Sequence, residues 1–157
     1  MSLLLVRVDD RLIHGQVVIG WGRPLGVDFI VLVDDAVRES SWEQDLYRMG
    51  VPPEIEVIFA SGEEAARDFA RWSSSPLRGI LLAGTVDTIA ALVQARVPIQ
   101  RVNLGGVHHR PGRIERLPYL YLSEEELQLL ENLEQAGVEV SAQDLPTAPP
   151  VMLKALA

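Results

Sequence analysis

Apolar runs recur along the chain at Leu3–Val8, Asp28–Val33, Ile55–Ala60, Gly79–Ala83, Gln100–Leu104, Tyr119–Leu122 and Val138–Ala142. Most are continuous rather than alternating, as in strands covered on both faces. The segments between them carry helical patterns, and that alternation predicts an α/β architecture. Trp42, Leu46 and Met49 recur at i, i+4 and i+7, giving one apolar helix face after Ser40 or Ser41. Ser61 and Glu64 form a capping box ahead of Ala65, Phe69 and Trp72. Thr85 caps a helix whose core face is Ile89, Leu92 and Val93. A second capping box, Ser123 with Glu126, precedes Leu127, Leu130 and Leu133, and Gly137 ends that helix. After Pro149–Pro150 a short C-terminal helix is expected, with Val151, Met152, Leu153 and Leu156 closing one side of the sheet. The predicted fold is a single α/β domain over residues 1–157. Its mostly parallel open sheet has about six or seven strands, with helices on both faces.

Composition narrows the function. Hydrophobic residues make up 48% of the 157-residue chain, which argues against disorder and supplies a core. No apolar run approaches the roughly 20 residues that cross a bilayer, and the N-terminus lacks the basic start and cleavage site of a signal peptide. The absence of cysteine removes disulfide and thiolate chemistry and fits a cytoplasmic protein. A net charge of −8, from 22 acidic and 14 basic residues, argues against nucleic acid as a partner. Any membrane role must come through a partner.

The candidate chemistry gathers in Val6–Val17, reading VRVDDRLIHGQV. The first strand stops at the charged triplet Asp9, Asp10, Arg11. Leu12 and Ile13 lead to His14 and Gly15, and Val17, Val18, Ile19 and Trp21 can pack as a short helix. His14 therefore stands at the carboxyl end of a strand, the edge where open α/β sheets hold ligands. An imidazole is a competent nucleophile near neutral pH. Phosphorylated, it can hand the group on, dividing one transfer into two. Gly15 and Gln16, with the Asp10 end of the loop, offer backbone N–H groups to phosphate. The missing side chain at Gly15 lets main chain approach closely. Arg11 offers a forked donor set to a phosphoryl group, or else pairs with Asp9 or Asp10. Asp9 holds Arg11 or the His14 ring, or serves as a structural charge at the strand end. Arg7, unusual in a buried run, is expected to pair with an acidic strand end such as Asp34 or Asp35.

Residues 105–118, GGVHHRPGRIERLP, read as a basic loop in an acidic protein. His108 and His109 invite a metal reading together with Asp34 and Asp35. Adjacent histidines in an extended chain point different ways, however, and no ligand-pair spacing is present, so a solvated loop is expected. Gly105–Gly106 lacks nucleotide-loop spacing. Arg23, Arg110 and Arg113, with Arg11, are expected to rim the site as a docking face.

The stretch RVDDRLIHGQV resembles the active-site segment of the IIB subunits of the mannose/fructose/sorbose class of the bacterial sugar phosphotransferase system. FIVLVDDA (Phe29–Ala36), the Pro52–Pro53 pair and VNLGG (Val102–Gly106) are similar to further segments of that family. The resemblance implies that His14 carries a phosphoryl group on Nδ1, taken from a phosphohistidine on a IIA protein. It implies passage of that group to a hexose held by the membrane IIC/IID complex, with no metal or nucleotide cofactor. It also implies that the 105–118 segment lies beside the active site. In a second reading the fold and histidine serve a regulatory, non-transporting module.

Overall fold

The computed structural model describes residues 2–157. Six strands run parallel: β1 (Leu3–Val8), β2 (Phe29–Val33), β3 (Glu56–Ala60), β4 (Gly79–Ala83), β5 (Arg101–Leu104) and, later in the chain, β8 (Glu139–Ala142). With an antiparallel edge strand β9 (Val151–Met152), they form one sheet in the order β3-β2-β4-β1-β5-β8-β9. The expected α/β class and helix-covered sheet hold. The apolar runs read as strands because both faces are covered: Ile30, Val31 and Leu32 of β2, and Ile80, Leu81 and Leu82 of β4, are fully buried.

On one face lie α4 (Gly62–Ser74), α5 (Val86–Gln94) and α6 (Glu124–Gln135), packed through Phe69, Ile89 and Leu130. The other face carries a π-helical segment, Gln16–Gly22, which runs into the single turn α1 (Arg23–Leu25). Beside it lie α2 (Asp35–Arg38) and α3 (Ser41–Met49). Both predicted capping boxes form, at Ser61/Glu64 and Ser123/Glu126. Gly137 takes φ +94°, and the N–H groups of Gly137 and Val138 donate to Glu134 and Leu133 as α6 ends.

Two expectations need correction, and one predicted helix face finds its side. The Tyr119–Leu122 run supplies β7 (Leu120–Leu122), which pairs with β6 (Ile114–Leu117) in a separate hairpin rather than joining the main sheet. A two-residue turn at Pro118 and Tyr119 sends the chain straight back, so the pairing is local. The C-terminal segment is not an α-helix. Val151 pairs with Ala142, and one 3₁₀ turn, Leu153–Ala155, follows. Leu153 and Leu156 are nevertheless buried and close that end of the core. In α3 the apolar stripe Trp42, Leu46, Met49 faces away from the sheet, and no residue of that helix is buried. The opposite side makes the attachment, where the Gln44 amide donates to the carbonyls of Val37 and Arg38 and Tyr47 meets Phe59.

After β1 the chain leads toward β4 and β2; after β5 it leads toward β8 on the other side. The loops leaving β1 and β5 therefore diverge at a topological switch point, where such sheets bind ligands. The two strands pair only through Arg7/Asn103 and Val8/Leu104 at their carboxyl ends. Their amino halves separate, leaving a cavity of about 810 Å³ bordered by Leu3, Leu5, Ile99 and Ser141.

Candidate functional site

Alternation along β1 decides what lies beneath the switch point. Val6 and Val8 turn to the α4–α6 face, so Arg7 turns to the other, opposite Leu82 and Asn103. Arg7 is fully buried. Its Nη1 donates to Asn103 Oδ1 and, at 2.8 Å, to the Gln143 carbonyl. Its Nη2 reaches the Asp144 carbonyl at 3.2 Å and Asp9 Oδ2 at 3.4 Å. The guanidinium carbon lies 4.7 Å from the Trp21 ring centroid, a cation–π contact in a desolvated place. Burial pushes the Arg7 pKa below its ordinary value, opposed by the charges of Asp9 and Asp144. The expected pairing of Arg7 with Asp34 or Asp35 is incorrect. Asp34 caps α2 by accepting from the Val37 N–H, and Asp35 accepts from the Gly62 N–H.

Asp9, also fully buried, joins the two arginines. Arg11 meets it in a fork, Nε to Oδ1 at 3.0 Å and Nη2 to Oδ2 at 2.9 Å, and the Arg11 N–H adds a bond at 3.2 Å. Burial by itself would raise the Asp9 carboxyl. The Arg11 hydrogen bonds, with the charges of both arginines, outweigh it and hold the group below its usual range. The hydrogen bond to Asp9 in turn raises Arg11. Asp9 thus holds Arg11 directly and faces the His14 ring, its Oδ2 standing 3.7 Å from Nε2.

The turn that returns His14 over this pair begins where the Leu12 N–H donates to the Asp9 carbonyl. Leu12 takes φ +59°, a conformation uncommon for a branched side chain, and packs against Gly84, where an added Cβ would come within 2.8 Å of it. Both ring nitrogens of His14 are buried and lack a hydrogen-bond partner. Buried polar atoms are rarely left so, and a reaction site is one accepted reason. Burial pushes the imidazole below its ordinary pKa, against the pull of Asp9 and with help from Arg11 and Arg7. The Val18 N–H donates to the His14 carbonyl and closes the first helical turn. The N–H groups of Gly15, Gln16 and Val17 lie ahead of that bond. Gly15 has right-handed helical angles, and a Cβ there would meet nothing within 4 Å.

The other expected site residues divide. The Asp10 N–H is not available to phosphate, because it donates to the Gly106 carbonyl at 2.8 Å. The Asp10 carboxylate instead receives the His108 N–H at 2.9 Å and pairs with the His108 ring. His109 stands edge-on to Tyr121, so the two histidines have different partners. Gln16 bridges: its Oε1 accepts from Arg11 Nη1 at 3.1 Å, and its Nε2 donates to Asp144 Oδ1 at 2.7 Å. Arg113 is not a free rim charge, since Glu126 binds both arms of its fork at 3.0 Å. Arg110 is exposed in the same loop. Arg23 follows the far end of the π-helical segment, next to the turn into the amino end of β2, and so lies away from His14. Gly105 and Gly106 serve the buried charges. A Cβ at Gly105 would overlap the Arg7 guanidinium and reach Asp9 Oδ2 at 2.7 Å.

Sequence reading missed the strap after β8. The Asp144 carbonyl accepts from Arg7, Gln16 and Trp21, and Leu145 packs on Gly20. The one available signal was a lone arginine within an apolar strand, which requires buried acceptors somewhere in the fold.

The family described as PTS system sorbose subfamily IIB component matches residues 3–156. The N-acetylgalactosamine-specific phosphotransferase enzyme IIB component 1 of Escherichia coli is 31% identical over 149 residues, covering 92% of each chain. The mannose-specific EIIAB component of Escherichia coli is 28% identical, over 95% of this chain and 46% of that one. The IIBSor domain of the sorbose permease from Klebsiella pneumoniae superposes with a TM-score of 0.89 at 27% identity, over 99% of this chain and 96% of that domain.

Proposed function

The chain belongs to the sorbose-subfamily IIB components of the phosphotransferase system, and from that premise we propose that His14 is the residue on which it carries phosphate. The protein is a phosphotransferase component of sugar uptake. Its matched relatives are named as sugar-specific phosphotransferase-system components, which favours that role over a regulatory module. No helix among the described residues is long and apolar enough to cross a membrane. Family membership implies a IIA phosphoryl donor and membrane-embedded IIC and IID partners.

One observation carries the assignment to His14. Its ring is partly exposed at the switch point while both ring nitrogens are buried without hydrogen bonds, with Nε2 toward the Asp9 carboxylate and Arg11 held alongside. A carboxylate facing Nε2 favours the tautomer that keeps the proton there and leaves the Nδ1 lone pair free. Nδ1 attacks phosphorus of the donor phosphohistidine; the P–Nδ1 bond forms as the donor's P–N bond breaks. The His14 ring gains positive charge, which Asp9 offsets. Arg11 and the N–H groups of Gly15 and Gln16 neutralise the phosphoryl oxygens. In the second transfer a hexose hydroxyl takes the phosphoryl group, releasing its proton and returning the ring to its neutral form.

The test is labelling from phosphoenolpyruvate through the general phosphotransferase proteins and the cognate IIA. One acid-labile, base-stable phosphoryl group should appear. It should vanish in His14→Ala and persist in His108→Ala and His109→Ala. Full labelling of His14→Ala would overturn the assignment.

A further inference from the structure

The stripe on α3 has no role in the core. Trp42 is 65% exposed, Leu46 55% and Met49 82%, and they are neighbours on one helix face. Scattered exposed apolar residues are ordinary, whereas a contiguous stripe rimmed by polar groups marks an interaction site. Tryptophan is also among the residues that most often anchor interfaces. The helix is already attached by its other side, through Gln44 and Tyr47, so an occupant of the stripe need not disturb the fold.

Charge selects the occupant. Residues 39–56 contain Glu39, Glu43, Asp45, Glu54 and Glu56 against a single arginine, Arg48. Arg48 lies over the Phe59 ring and 3.8 Å from Asp45. A second copy docked on this stripe would bring two acidic rims together. An anionic lipid surface would meet the same repulsion. The complementary partner is apolar at its centre and basic around it. Cytoplasmic loops of integral membrane proteins carry an excess of lysine and arginine.

Position agrees with that partner. The stripe lies on the same sheet face as the π-helical segment, and α3 follows β2 from the sheet edge that holds His14. α3 packs on Phe59 of β3, the edge strand three places from β1, about 15 Å at the usual strand spacing. A partner seated on α3 is therefore within reach of the carried phosphoryl group. We infer that the Trp42–Leu46–Met49 stripe docks the membrane-embedded sugar-transport partner, its acidic rim meeting lysine and arginine of that partner's cytoplasmic loops. The inference rests on the reading of this chain as a phosphoryl carrier for sugar uptake.

The full chain, a Trp42→Ser/Leu46→Ser variant and an Asp45→Lys variant are each titrated against inverted membrane vesicles containing the cognate IIC and IID proteins. Matched vesicles without them, and protein-free vesicles of phosphatidylglycerol and phosphatidylcholine, serve as comparisons. Binding should require the membrane proteins, weaken with salt, and weaken about tenfold or more in both variants. Labelling by the donor and the melting temperature should match those of the parent chain. Undiminished binding by the variants, or equal binding to protein-free vesicles, would overturn the inference. So would donor labelling slowed in parallel, which assigns the stripe to the donor, or a dimer that the variants abolish. His14→Ala separates the two readings, since it should lose the label while still binding the vesicles.

Discussion

The His14 ring must be a free base to attack phosphorus, and burial, aided by Arg11 and Arg7 against Asp9, keeps it so below the ordinary imidazole range. Labelling by the donor should therefore stay level as pH falls past about 6.5 and decline only below it. A rate already halved near that pH would contradict the shift. The same ring in the unfolded chain binds its proton near 6.5, so from there down to the lower folded value the unfolded state holds more protons. Stability is lost as pH falls through that window. Asp9 acts in the same sense further into acid: its folded value is depressed, so its contribution is present above the ordinary carboxylate range and lost as pH falls through the folded value. Melting temperatures followed down to about pH 3 should show both losses, and His14→Gln should remove only the first. Arg11→Ala should slow transfer about ten- to a hundredfold, since a charged hydrogen bond to a phosphoryl oxygen is worth roughly 1.5–3 kcal/mol. The paired glycines give opposite expectations. Gly105→Ala forces a methyl group into the immovable Arg7–Asp9 pair and should cost about 1–3 kcal/mol in denaturant unfolding. At Gly106 the neighbour is Arg11, 3.1–3.3 Å from an added Cβ and 43% exposed. Gly106→Ala should therefore spare stability and instead slow transfer by displacing the guanidinium.

Between the site and the sheet, the element that matters most is the strap after β8. Its grip on Gln16, Trp21 and Arg7 uses the Asp144 main-chain carbonyl, whereas the half-exposed Asp144 carboxylate hydrogen-bonds only the Gln16 amide and supports Arg7 and Arg11 through its charge. Asp144→Ala should accordingly change unfolding free energy by less than about 1 kcal/mol. It should lower kcat about two- to tenfold by loosening Gln16 and hence Arg11, with donor KM unchanged. Elements of this kind show where sequence reading reaches its end. The capping boxes at Ser61 and Ser123 were legible because donor, acceptor and helix lie within four residues. The short helix after His14 was legible as an apolar patch, but the added residue per turn that makes it π-helical has no local signature. Periodicity marked the Trp42 stripe without saying which side of α3 meets the body, since that depends on Gln44 finding the carbonyls of Val37 and Arg38. Arg7 is legible as out of place in an apolar strand, but its partners are not. Asp34 and Asp35 are acids at a strand end, whereas the true acceptors arrive from Asn103, Gln143 and Asp144. The motif around His14 could be read because the strand, turn and helix that present it are contiguous.

Across the whole molecule, the C-terminal segment completes the core late in the chain. Deleting Val151–Ala157 removes buried Leu153 and Leu156 along with the edge pairing of β8. At roughly 1.5–3 kcal/mol for each leucine, the loss should be about 3–6 kcal/mol as an upper bound, read as a fall in denaturant midpoint. The Arg7 anchors on the strap lie further from it in sequence than any other partners at the site. Asn103, Gln143 and Asp144 follow Arg7 by 96, 136 and 137 residues. During synthesis the His14 motif leaves the ribosome among the first residues, yet the carbonyls that hold its supporting arginine emerge almost last. A nascent chain halted at residue 142 should refuse phosphate from the donor, while one released beyond Asp144 should accept it. Chains that lack the Asp144 strap then stay out of the relay, and no phosphoryl group is stranded on so short a fragment.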